Sequence, residues 1–216
     1  MTALLPLGEF AFLARFLGED EANRWAVGIR EGHADWLIDV VVAYSNVAVF
    51  FDPEAADPRF VEKYLVEIAS QPASTWIGRT HEVPVLYDGA DLSEVAERLG
   101  LGSREVVRAH SEKTYKVSAI GFLPGFPYAG ELPDVLRGLP RRPVPRPRVP
   151  AGSVAIAGKQ TAIYPASSPG GWHLIGRTPL EIVNVESGFF PIKVGDSLRF
   201  IPIDADAFEG SRALLR

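Results

Sequence analysis

The chain of 216 residues contains no cysteine. Disulfides, thiolate metal sites and a cysteine nucleophile are therefore excluded, and such a composition suits a reducing compartment. Histidine is scarce as well. The four histidines stand at 33, 81, 110 and 173, with no two at helical metal-ligand spacing. That leaves little from which to build a protein-ligated zinc site. The net charge is only −5, which argues against non-specific nucleic-acid binding. No apolar run approaches the roughly 18 residues that a membrane span needs. The N-terminal stretch MTALLPLGEFAFLARF is apolar but is broken by Pro6 and Glu9. It has no basic n-region and no small-residue cleavage pattern, so it reads as a strand pair, not a signal peptide. The expectation is a cytoplasmic protein with neither nucleic acid nor membrane as a partner.

What the chain does have is a hydrophobic fraction of 47%, enough for a sizeable core, together with 20 glycines and 18 prolines. Residues 9–13 alternate like a strand. Asp20 is expected to cap a helix whose apolar face is Ala22, Trp25, Ala26 and Ile29, ending at Gly32. Leu37–Ala43 and Val47–Phe51 form a predicted hairpin. Asp57-Pro58 opens a second helix with Val61, Tyr64, Leu65 and Ile68 on its buried stripe. Glu82–Leu86 is a further predicted strand. Strand, helix, strand, strand, helix, strand is the order of a ferredoxin-like split βαβ unit.

The texture changes after about residue 80. Asp91 and Glu94 resemble a capping box ahead of Leu92, Val95, Ala96 and Leu99. Ser103 is expected to cap a short helix that reaches His110. Short strands are then expected at 116–120, 153–157, 161–164, 180–185 and 197–201, broken by glycine and proline. That pattern suggests a closed or partly closed barrel. The segment RRPVPRPRVP, residues 141–150, favours extended backbone. It reads as a stiff surface connector, as arginines aimed at an anionic substrate, or more weakly as an SH3-type ligand.

Three glycine-proline clusters concentrate the chemistry: GFLPGFPYAG, VPAGSVAIAGKQTAIYP and SPGGWHLIGRTP. Rigid turns of this kind can aim backbone N–H groups at a carbonyl or carboxylate oxygen. Each could equally be a barrel corner, but together they carry Tyr128, Gln160, Tyr164 and Trp172, which favours a pocket. No Walker A loop and no Gly-x-Ser-x-Gly elbow occurs. Ser167 and Ser168 precede Pro169 as a turn would. His110, at the end of a helix that favours its charged form, is either an acid/base or a structural histidine. Lys159 is either polar machinery or a surface lysine. His33, His81 and His173 read as ordinary residues.

These motifs, with TYKVSAIGFLPGFPYAGELP, PRPRVPAGSVAIAGKQTAIYP, SPGGWHLIGRTPL, VVVAYSNVAVFFDP and VPVLYDGADLSEVAERLGL, closely resemble the family of the 5-oxoprolinase B subunit. That family includes KipI and the protein called allophanate hydrolase subunit 1. The chain departs from the family's usual wording at Ser45, at Ala129-Gly130-Glu131 and at Ala162. The resemblance implies an α+β chain, with a ferredoxin-like N-terminal domain over 1–80 and a cyclophilin-like β-barrel over 81–216. The partners it implies are the 5-oxoprolinase C subunit (KipA, or allophanate hydrolase subunit 2) and the A subunit. It also implies ATP with magnesium, at a site shared with a partner, used to hydrolyse 5-oxoproline to glutamate. The alternatives it carries are a KipI-type inhibitor of a sensor histidine kinase and an allophanate hydrolase or carboxyltransferase-like subunit. In an active enzyme the expected catalytic residues are His110, Lys159 and Tyr164. Those expected to bind substrate are Gly121, Phe122, Gly125, Phe126, Tyr128, Arg146, Arg148, Gln160, Thr161 and Trp172.

Overall fold

A computed structural model of the protein describes residues 1–69, 78–210 and 215. The chain is α+β and divides into two compact units, 1–77 and 78–216. No helix among the described residues is long and apolar enough to cross a membrane.

The first unit runs β1 (Ala3–Pro6), β2 (Ala11–Arg15), α1 (Glu19–Glu31), β3 (Leu37–Ala43), β4 (Asn46–Phe51) and α2 (Pro58–Ala69). Its sheet has the antiparallel order β1-β2-β4-β3. Alternation puts Val47, Val49 and Phe51 on one buried face of β4, and Phe12 and Ala14 are buried with them. Ala22, Trp25, Ala26 and Ile29 of α1 and Val61 and Leu65 of α2 are buried, as the helical spacing requires. The Trp25 indole N–H donates to the Leu65 carbonyl at 3.3 Å, which satisfies a buried donor. Asp57 accepts the Arg59 N–H at 2.8 Å and caps α2. Helix α1, by contrast, starts behind Gly18 with no side-chain cap, so Asp20 lies inside its first turn.

The second unit runs β5 (Thr80–Val85), α3 (Leu92–Leu99), α4 (Ser103–Ser111), β6 (Thr114–Ile120), β7 (Pro127–Gly130), β8 (Arg146–Val149), β9 (Ser153–Ala157), β10 (Gln160–Ile163), β11 (Ser168–Gly170), β12 (His173–Arg177), β13 (Ser197–Pro202) and α5 (Ala205–Gly210). Its main sheet follows the order β5-β13-β6-β7-β10-β9-β12. Leu86 and Arg177 then exchange two backbone hydrogen bonds of 2.9 Å, so the end of β12 meets the residue after β5. The sheet thereby returns on itself. Strands β8 and β11 pair separately.

Two strand expectations change. The strand at Glu82–Leu86 does not complete the first unit. It is β5, and it pairs in parallel with β13. Period-2 alternation identifies a strand but carries no information about its partner. Here Val83 and Val85 are wholly buried in one core cluster with Leu198 and Phe200 of β13. The expected strand at 180–185 is irregular backbone with isolated bridge positions at Glu181 and Asn184, the latter paired with Phe189. The Asn184 side chain accepts the Ser187 N–H at 2.9 Å and turns the chain instead.

Candidate functional site

Strands β9 and β10 have two dissimilar faces. One face carries Val154, Ile156 and Ile163 into the core of the ring. The other carries Ala155, Ala157 and Ala162, which leave room for Phe126, Tyr164, Trp172 and Leu174. Three small side chains thus support a layer of large rings. Phe126 stands at its centre, edge-on to Tyr128 (5.0 Å between centroids), Tyr164 (5.2 Å) and Trp172 (5.8 Å). Edge-to-face contacts are a favoured arrangement for such rings.

These rings line a cavity of about 310 Å³. Phe122 forms its outer edge, 60% exposed and at φ +68°. Pro169, Gly170 and Gly171 close one side. A Cβ on Gly170 would fall 2.4 Å from the Tyr164 hydroxyl, so glycine there keeps the ring in place. Arg141, Arg142 and Pro145 close another side. The Arg141 guanidinium lies 5.9 Å from the Trp172 ring centroid. Burial pushes the Tyr164 phenol above its ordinary range.

A buried carboxylate holds the arginine wall. Asp91 accepts the Leu174 N–H at 2.7 Å and an Arg142 N–H at 3.0 Å, and it also accepts from Arg146. Arg142 reaches Glu94 as well, at 3.0 Å, and the Arg142 bond holds the Glu94 carboxyl below its usual range. Asp91 precedes α3 but makes no side-chain cap. The expected Asp91–Glu94 capping box is therefore replaced by a clamp on the arginine-proline segment. That segment is no free connector: Arg146–Val149 is strand β8, and the Arg142 N–H donates to the Gly171 carbonyl at 2.7 Å.

Of the expected site residues, Phe122, Phe126, Tyr128, Tyr164 and Trp172 come together around the cavity. Gly121 and Gly125 shape the loop beneath Phe122. The Gly121 N–H donates to the Phe126 carbonyl, and Gly125 sits at φ +74°. Arg146 stands behind the wall on Asp91. Arg148 is exposed and donates to Ser167 at 3.1 Å. Lys159 is exposed in the β9–β10 turn, and Gln160 is half-buried at the start of β10.

His110 and Thr161 lie elsewhere. Both are fully buried. Thr161 alternates with Ala162 and Tyr164 along the strand and faces the core of the ring, away from the cavity. The Thr161 hydroxyl donates to the Ala155 carbonyl at 3.2 Å, so it accepts the His110 Nε2–H at 2.8 Å. His110 Nδ1 then accepts from the Tyr87 hydroxyl at 2.7 Å. Every polar atom of the ring is satisfied in the neutral form. Burial lowers its pKa to about 3. The expected charging by a helix C-terminus is overridden, because desolvation in an apolar core outweighs a partial dipole charge.

Sequence reasoning missed Arg141, Arg142 and Asp91. The clustered arginines of RRPVPRPRVP were the available signal, but their pairing with a residue some fifty positions earlier was not visible.

A family model for the carboxyltransferase domain, subdomain C and D, matches residues 2–188. The B subunit of Escherichia coli 5-oxoprolinase is 40% identical over 175 residues, covering 77% of this chain and 78% of that protein. Its counterpart of the same name in Bacillus subtilis is 37% identical over 223 residues, covering 91% of each. Among solved structures, the protein TTHA0988 aligns with TM-score 0.80 and 40% identity over 90% of this chain. This chain spans 40% of that longer polypeptide. The Kluyveromyces lactis urea carboxylase shares the fold at TM-score 0.71 and 16% identity, with all of this chain matching 24% of that one.

Proposed function

The chain belongs to the family of the 5-oxoprolinase B subunit, and on that premise we propose that it serves as the B component of an ATP-dependent enzyme that opens 5-oxoproline to glutamate. The observation that carries this reading is the 37–40% identity to proteins of that name across most of both chains. Those relatives bear neither the kinase-inhibitor nor the allophanate name.

A five-membered lactam is a stable amide. Transfer of the ATP γ-phosphoryl group to its carbonyl oxygen would make the ring carbon electrophilic. Water then adds to that carbon and the ring C–N bond breaks, leaving an acyl phosphate that a second water hydrolyses to glutamate and phosphate. The net reaction takes up ATP and two molecules of water and releases glutamate, ADP and phosphate. Among the described residues, the cavity lining contains no carboxylate and no histidine. We therefore assign this chain the holding of the ring, and assign phosphoryl and proton transfer to the A and C subunits, with ATP and magnesium bound at a shared site. An ATP-consuming reaction of this kind fits the cytoplasm.

The test is reconstitution with the A and C subunits, followed by an assay of glutamate formed from 5-oxoproline and ATP. ATP-dependent glutamate that requires this chain is the expected result. Its absence in a mixture whose three chains co-elute on size exclusion would refute the reading.

A further inference from the structure

We propose that the aromatic cavity is a subsite for a small ring carboxylate and that Arg141 is the residue that reads its charge, an inference that rests on the 5-oxoprolinase reading for the identity of the ring. At about 310 Å³ the cavity lies at the small end of ligand pockets. Its buried walls are the rings of Phe126, Tyr164 and Trp172, which suit a largely apolar ring body.

The charge in the lining is of one sign. Arg141 and Arg142 are its charged members, and no carboxylate lies among the lining residues. The two arginines are not equivalent. Arg142 is neutralised by Asp91 and Glu94, each at 3.0 Å. Arg141 pairs with no carboxylate among the described residues, and its guanidinium lies against the Trp172 ring. An anion entering the cavity therefore meets one uncompensated guanidinium at the rim. A guanidinium fork can grip both oxygens of a carboxylate, and a nearby ring can take the body of the same molecule.

The position of Arg141 is built. The hydrogen bond from the Arg142 N–H to the Gly171 carbonyl ties the segment beside Trp172. A Cβ on Gly171 would meet the Arg142 carbonyl at 3.5 Å and the Arg141 Cβ at 3.8 Å, so the two backbones pass close together. Asp91 anchors the next turn of the segment through Arg142 and Arg146. Arg146 is thereby occupied, and Arg148 is absent from the lining. The role expected of those two falls to Arg141.

Calorimetric titration of the full chain with five probes tests this: 5-oxoproline, its uncharged ring 2-pyrrolidinone, acetate as charge without a ring, and proline and benzoate as other ring carboxylates. 5-Oxoproline should bind at least tenfold more tightly than either fragment. Arg141→Ala should reduce it to the affinity of 2-pyrrolidinone while leaving 2-pyrrolidinone unchanged, and Arg141→Lys should restore part of the loss. An unchanged melting temperature shows that each variant is folded. Where 5-oxoproline binds, equal binding of 2-pyrrolidinone, equal binding of acetate, or full affinity in folded Arg141→Ala overturns the proposal. If proline or benzoate binds with the same Arg141 dependence and 5-oxoproline does not, the ring-carboxylate subsite stands and the 5-oxoprolinase reading falls. If the reconstituted complex makes glutamate with an unaltered KM in Arg141→Ala, the enzyme reading stands and the subsite falls. No saturable binding of any ring carboxylate also overturns the subsite.

Discussion

The two faces of strands β9 and β10 treat polar groups in opposite ways. On the face toward the ring core, His110, Thr161 and Tyr87 form a closed chain in which each ring nitrogen has a partner. On the cavity face, Arg141 has an aromatic neighbour but no carboxylate, and Arg142 Nε and Arg146 Nη1 have no hydrogen-bond partner among the described residues. A polar group whose valences are all used in an apolar core stabilises one arrangement and is ill placed to do chemistry. A cation left unsatisfied beside a cavity raises the stability of the free protein little, and can gain from a ligand. Residue type alone would have ranked these groups the other way, with histidine first.

Removing Asp91 should strain the contrast most. Its carboxylate, 3% exposed, pairs with both Arg142 and Arg146, and Glu94 takes a second bond from Arg142. Breaking a buried pair by removing one partner leaves buried charge uncompensated, so Asp91→Ala should cost about 3–5 kcal/mol in urea denaturation. A cost below about 1 kcal/mol would mean that the arginine wall stands without its clamp. His110→Ala comes next. It opens a hole in a packed core and strands the Tyr87 hydroxyl, for a loss of about 3 kcal/mol. Ring-carboxylate affinity of the folded variant should stay within about twofold of wild type, since a sheet separates the two sites. A stable His110→Ala protein that has lost activity in the reconstituted complex would reverse the assignment of the faces.

Acid should tell the same story more gently. His110 titrates near 6.5 when unfolded and at about 3 when folded, so below pH 6.5 the unfolded chain binds the extra proton. Its contribution to stability is complete above pH 6.5 and is lost as pH falls toward 3, at roughly a kcal/mol per pH unit. Chemical denaturation between pH 7 and 4 should show this slope, reduced in His110→Asn. An unchanged slope in that variant would show that other groups carry the acid sensitivity. The smallest effect belongs to Arg148→Ala. This exposed residue contacts Ser167, so stability should change by less than about 0.5 kcal/mol and 5-oxoproline affinity not at all. A tenfold weaker affinity would return anion recognition to Arg148.

Local patterns were readable where the physics is local. The apolar stripe of α1, the proline-opened α2, the glycine end of α3 and strand β9 all follow from periodicity and capping. Strand β8 was hidden because prolines disguise an extended segment as a connector, although it pairs with β11. The aromatic half of the cavity was visible as a cluster of costly residues in GFLPGFPYAG and SPGGWHLIGRTP. The distinction between Arg141 and Arg146 was not. It turns on Asp91, about fifty positions away, and on whether a single carboxylate is already taken. The side of the sheet on which His110 lies was equally unreadable, because a helix pattern gives the buried face and not what that face meets.

The parallel pairing of β5 with β13 bears on how the chain is made. Arg199 and Glu82 face each other across that pair, 117 residues apart in sequence. A ribosome delivers β5 long before β13, and the edges of β5 and β6 that β13 fills stand open in the interval. An open strand edge invites pairing with neighbouring chains, and contacts so distant in sequence form slowly. Nascent chains stalled before residue 197 are therefore expected to aggregate more readily than the completed chain.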